Sequence, residues 1–338
     1  AMTPREVLLA AVRFQNPPYT PWAIEFTATP AAALERHFGG RDVSDCLHDH
    51  VVTFRAPTRE NFRPVEPGKF LDLYGTLWDR TIDADIGTPC RHALPAPTLK
   101  CFRFPPCRGN EETVRKKLAR YPDRAVRFSL GFALFERAWA LRGMEALLMD
   151  FVERPAFAHE LLDAIVAHDM ELLEWARPFK PDIVHFGGDW GQQQGLIMGP
   201  RIWRAFLKPR LARLYARAHE LGALVSIHCC GDVDELFDDL VEIGVNLFNP
   251  FQPEVMDVRA LRKQYDRRLA FHGGMSIQRV LPFASPAEVA RETRRLLRDL
   301  GRGGGYVFAP AHAVPADVPL ANILAMTDVL HSQPGFHA

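Results

Sequence analysis

From Asp182 onward, apolar runs of four or five residues alternate with longer amphipathic stretches, and no other feature narrows the fold so far. The runs are Asp182–Phe186, Leu224–His228, Asn246–Asn249, Leu269–His272 and Tyr306–Ala309. Between them lie stretches with helical spacing, among them Pro200–Leu221 and Pro286–Leu300. Short strands, each followed by a helix, build a parallel sheet. Pro200 suits a first helical turn, where its missing N–H costs nothing, whereas Pro209 should kink or split its helix. The N-terminal half adds Trp22–Phe26, Val51–Arg55 and Val126–Leu130. Eight such strands predict an α/β fold, a single (β/α)8 TIM barrel spanning residues 1–338. Residues 57–124 are rich in Pro and turn formers. They read as an irregular insertion between the second and third strands, with Leu73–Gly87 a hairpin or irregular loop.

Charge and cysteine usage limit the function classes. Lys+Arg and Asp+Glu balance at 41 each, which argues against nucleic acid as a partner. No apolar run approaches the roughly 18 residues that cross a bilayer, so no membrane association is expected. The N-terminal segment reads as an amphipathic helix start, not a signal peptide. Six cysteines in 338 residues fall short of a disulfide scaffold, and a cytoplasmic protein with reduced thiols is expected.

Polar residues then gather where the strands end. The run at 182–186 leads into Gly187-Gly188-Asp189-Trp190-Gly191-Gln192-Gln193, and the next ends in His228-Cys229-Cys230. The later ones end in Asn249-Pro250-Phe251-Gln252, His272-Gly273-Gly274 and Ala309-Pro310-Ala311-His312. In a parallel barrel these ends share one rim, where such enzymes do their chemistry. Positions i and i+2 of a strand face the same way, so His228 and Cys230 can point inward together while Cys229 points out. Imidazole plus thiolate suits zinc, and His312 on the same rim would be the third ligand. Two bland readings stay open here: a buried thiol beside a hydrogen-bonded histidine, and a strained vicinal disulfide between Cys229 and Cys230. Asp189 and His272 are the expected catalytic groups, with Gly273-Gly274 offering backbone N–H groups to an anion. Trp190, Gln192, Gln193, Asn249 and Gln252 are expected around the substrate. Glu25 could orient a ligand, act as a base, ligate a metal or be a satisfied core carboxylate. Glu136 and Arg137 are expected to form a structural pair.

The stretch from Gly187 to Asp257, continuing through FHGG to APAHAVPADVPLANIL, resembles the uroporphyrinogen decarboxylase superfamily. The resemblance covers residues from about 125 to 330 and implies the same barrel. One branch comprises tetrapyrrole decarboxylases; another comprises zinc methyltransferases that work with corrinoid proteins and thiols. The decarboxylases carry an Arg-x-x-x-Arg pair after the first strand. Here Glu25 is followed by FTATPAAALERHFGG, with no basic residue before Arg36. The methyltransferases carry His-x-Cys at the fifth strand, matched by His228 and Cys230, and a Cys at the eighth, where this chain has His312. The resemblance therefore implies zinc-dependent methyl transfer between a methylated corrinoid on a partner protein and a thiol or other small acceptor. The alternative is a metal-independent decarboxylase or lyase acting on a small carboxylic acid or tetrapyrrole-like substrate. A second copy of the chain, as a homodimer, is a further candidate partner.

Overall fold

The computed structural model describes residues 2–58, 62–82, 84 and 87–337. One sheet carries seven strands, labelled here β1 (Val51–Arg55), β2 (Ala125–Gly131), β3 (Ile183–Gly187), β4 (Leu224–His228), β5 (Leu247–Phe251), β6 (Ala270–Met275) and β7 (Tyr306–Pro310), in that spatial order. The β2–β3, β3–β4, β5–β6 and β6–β7 pairings are parallel. Seven of the eight expected strands are therefore present, each within three residues of its expected bounds.

The eighth, Trp22–Phe26, does not form a ladder. It makes two isolated parallel bridges, Trp22 to Phe308 and Phe26 to Val314. Ala23 N–H donates to Phe308 O at 3.2 Å, and Val314 N–H donates to Glu25 O at 2.8 Å. Between those points the partner chain has left β7, so consecutive residues find no matching groups and the pairing is interrupted.

The chain divides into two compact units, one of residues 1–52, 121–126 and 246–338, the other of residues 53–120 and 127–245. The first packs Trp22, Phe248, Phe251, Phe271 and Tyr306, all under 2% exposed. Its helix Pro286–Leu300 starts from a capping box of Ser285 and Glu288, with Pro286 in the first turn, and buries Val289, Thr293, Leu296 and Leu300. The second packs Phe128, Phe186, Trp190, Trp203 and Tyr215. Pro209 acts there as expected. A helix at Gly199–Ile202 widens into a π-turn at Trp203–Leu207 before the helix Lys208–Glu220. A proline has no N–H for the carbonyl four residues back and its ring pushes that carbonyl away, so the turn before it opens.

The insertion is more regular than its composition suggests. Arg63–Glu66, Lys69–Leu71, Leu77–Asp79 and Thr88–Arg91 form a four-stranded antiparallel sheet in sequence order. Leu77 and Trp78 are its buried anchors, and the Trp78 indole donates to Asp72 Oδ2 at 3.0 Å. Asp83, Asp85 and Ile86, part of the expected Leu73–Gly87 hairpin, lie outside the described residues.

Candidate functional site

In the second unit, strand parity does what the sequence implies. β4 ends at His228, half-buried, and Cys230 follows with its Sγ 3.3 Å from His228 Nε2. Cys229 is fully buried on the opposite side, where its sulfur accepts the Trp190 N–H at 3.2 Å. All six cysteines are free, so the vicinal disulfide is absent. β3 delivers Asp189 beside this pair. Its Oδ1 accepts the Cys230 N–H at 2.9 Å and lies 3.9 Å from His228 Nε2. Asp189 adopts φ 41°, a left-handed conformation that turns the chain sharply after the strand.

Two glycines let these loops interlock. A Cβ on Gly191 would run into the carbonyl of Cys230, and one on Gly231 would come within 2.6 Å of the Gln192 nitrogen. Asp232 N–H donates to Gln192 O at 2.8 Å across the same contact. Gln192 and Gln193 sit exposed on a short turn, in which Gly191–Gln192 pairs antiparallel with Gly195–Leu196. Trp190 is 1% exposed and packs edge-on against Trp203, so it anchors the loop from below.

Two features here were not read from the sequence as site components. Glu136 does not pair with Arg137, contrary to expectation. Arg137 bonds Asp72 at 3.4 Å and lies over the Tyr74 ring, because adjacent helical residues point about 100° apart. The Glu136 carboxylate instead occupies the place a side chain on Gly187 would take, at the end of β3. Burial, followed by the negative charges of Asp189 and Glu136, pushes the Cys230 thiol up. The second feature is a polar row inside the sheet. His185 and Ser226 are in register, with His185 Nδ1 2.9 Å from Ser226 Oγ, and the His185 ring is 6.2 Å from that of His228. The signal was available: Ser226 precedes His228 by two and shares its face.

The first unit holds the remaining candidates. His272, on β6, is buried with Nε2 2.9 Å from Ala23 O, a contact only an N–H can make favourably. That leaves Nδ1 as the acceptor for the Asn249 amide at 3.2 Å, and the same amide donates to His272 O at 3.2 Å. Both ring nitrogens are thus engaged. Asn249 precedes a cis Pro250 in β5, and Gln252 is buried just beyond it. Glu25 is exposed, so the core-carboxylate reading does not apply. His312 follows β7, half-buried, after Ala311 N–H donates to Met275 O at 2.8 Å.

The donor chemistry fits a zinc ion. Ligand bonds of about 2.3 Å to sulfur and 2.0–2.1 Å to nitrogen place tetrahedral S and N ligands roughly 3.5 Å apart, close to the His228–Cys230 separation. Among the described residues, no helix is long and apolar enough to cross a membrane.

Comparison with known proteins agrees with this architecture. The chain is similar to a methyltransferase from Methanosarcina mazei, with a TM-score of 0.76 over 98% of both chains at 15% identity. It also aligns with a glycosylated endo-β-1,4-xylanase from Gloeophyllum trabeum, at a TM-score of 0.50 and 14% identity over 95% of this chain and 98% of that one. At such identities these likenesses concern the fold alone. In sequence it is similar to the uroporphyrinogen decarboxylase of Serratia proteamaculans (strain 568), 30% identical over 79 residues, which is 23% of this chain and 22% of that one. The corresponding protein of Methylococcus capsulatus is 32% identical over 82 residues, 24% of this chain and 23% of its own. The matched stretch thus spans less than a quarter of these relatives' length. A family model described as uroporphyrinogen decarboxylase (URO-D) matches residues 132–333, more than half of the sequence. The chain belongs to the uroporphyrinogen decarboxylase family.

Proposed function

We propose that this protein is a cytoplasmic zinc-dependent methyltransferase on a (β/α)8 barrel, with Trp22–Phe26 completing it as the first strand. The observation that carries the reading is the His228 Nε2–Cys230 Sγ pair, 3.3 Å apart at a strand end. The proposed ligand set is His228, Cys230 and His312. Zinc held there would supply a Lewis acid able to lower the pKa of an acceptor thiol. Asp189 holds the Cys230 backbone and thereby the direction of its sulfur. Glu136 and Asp189 add negative charge that favours a bound cation. His272 fixes the Asn249 amide, and with Gln252, Glu25, Trp190, Gln192 and Gln193 it shapes the acceptor's surroundings. A corrinoid on a partner protein would supply the methyl group and keep the electron pair of the broken bond, and an acceptor thiol positioned by these residues would take the methyl. The methyltransferase named among the structural neighbours supports this reading.

Metal analysis of identically prepared proteins tests it. Cys230→Ser and His312→Ala should lose an equivalent of zinc that Cys229→Ser retains. A wild type that holds no zinc and cannot be reconstituted would remove the chemical basis. The second reading, a metal-independent decarboxylase or lyase with Asp189 and His312 as base and acid, would then lead. The curated relatives' name favours it. Coproporphyrinogen formed from uroporphyrinogen by the purified protein would choose it; without the arginine pair, none is expected.

A further inference from the structure

A second group of metal-capable side chains lies in the second unit, away from the strand ends. Cys107, Glu171 and His168 offer ligand atoms that all fall within 4.8 Å of one another. His168 and Glu171 stand three residues apart on the helix Pro155–Ala176, and residues at that spacing share a helix face. Cys107 comes from the irregular stretch of the insertion that precedes the helix Glu111–Ala119, and its sulfur lies 3.5 Å from His168 Nδ1. That is roughly the edge of a zinc tetrahedron with one sulfur and one nitrogen ligand.

The imidazole is oriented for ligation by its neighbours. Tyr74 donates its hydroxyl proton to Thr58 Oγ1 at 3.1 Å, which leaves the phenol oxygen to accept from His168 Nε2 at 3.0 Å. Nε2 therefore carries the ring proton, and the Nδ1 lone pair faces Cys107. A ligating histidine commonly has its far nitrogen tied in this way. The ring itself is clamped, stacked on Phe104 at 4.9 Å and edge-on to Tyr74 at 5.5 Å. Cys107 is half-buried and Glu171 exposed, so a cation has an open approach.

We propose that Cys107, His168 and Glu171 form a second divalent-cation site, suited to zinc or cobalt by its mixed S, N, O donors. Binding releases one proton, from the Cys107 thiol, and pins this stretch of the insertion to the helix Pro155–Ala176. The site does not depend on the strand-end reading.

The test uses the Cys230→Ser protein, which lacks the strand-end sulfur. Titrated with Co2+, it should still develop a thiolate-to-cobalt absorption band saturating at one equivalent, and it should retain one zinc after dialysis. The Cys107→Ser/Cys230→Ser double variant should show neither. Limited proteolysis gives a second readout: added Zn2+ should slow cleavage between residues 100 and 110 in the wild type and leave Cys107→Ser unaffected. A Cys230→Ser protein that folds yet shows no cobalt–thiolate band overturns this site and leaves the strand-end site standing. A Cys107→Ser protein that binds no zinc while Cys230→Ser keeps its equivalent overturns only the strand-end site.

Discussion

The molecule carries two imidazole–thiol pairs in one unit, built by opposite routes. His228 and Cys230 meet because a strand returns to the same face every second residue, so two positions of sequence suffice. Cys107 and His168 are 61 residues apart and meet only because the insertion lies along a helix. The first is locally encoded and held by a sheet; the second depends on tertiary packing and is held by aromatic clamps. Preorganisation by sheet should tolerate change in the surroundings better than preorganisation by packing.

The largest expected effect breaks the sheet-built pair directly. Cys230→Ser should lower the proposed methyl transfer by about a hundred- to a thousandfold, the scale seen when a transition-state-stabilising contact is removed. Steady-state turnover with a methylated corrinoid donor reads it, and a fall of less than tenfold would uncouple this pair from the chemistry.

A third imidazole, His50, shows what burial does without a thiol. It is fully buried, with Tyr19 Oη 3.0 Å from its Nε2, and desolvation lowers its pKa from 6.5 to about 3. Arg124, and the neighbouring His48 and His331, push in the same direction. Above pH 6.5 both folded and unfolded chains are neutral at this position. As pH falls from 6.5 toward 3, the unfolded chain takes a proton that the folded one refuses. Stability should drop by on the order of a few kcal/mol across that window. Denaturant melts at several pH values should show the slope in the wild type and a shallower one in His50→Gln.

Tyr74→Phe probes the packing-built pair. Without the phenol oxygen the His168 tautomer is no longer fixed, and cobalt affinity of the Cys230→Ser protein should fall about 10- to 100-fold. The strand-end equivalent should be untouched. The smallest effect belongs to Cys229→Ser. Its hydroxyl can still accept the Trp190 N–H, so stability should change by about 1 kcal/mol, with metal content equal to wild type.

The same contrast explains what could be read from the sequence. The seven strands and the His-x-Cys geometry were legible because each depends on a period of two or on a repeated strand–helix rhythm. Trp22–Phe26 had the right apolar pattern, but its hydrogen bonding depends on Phe308 and Val314 at the far end of the chain. The insertion's sheet was obscured by Pro64 and Pro89 inside its outer strands, where a missing N–H is tolerated. Glu136 looked like half of a local pair because the facing glycine, Gly187, is 51 positions away. Cys107 carried no local signal at all.

The backbone approach between residues 188–192 and 229–232 sets where this protein can change its habits. Gly191 and Gly231 leave no room for side chains, so substitution there would spread the loops and with them the seat of Cys230. The side chains of Gln192 and Gln193 are exposed and lie outside that backbone contact, although the Gln192 backbone takes part in it. On the proposed function, substitutions of those two side chains would alter acceptor choice at the lip of the loop without moving Cys230.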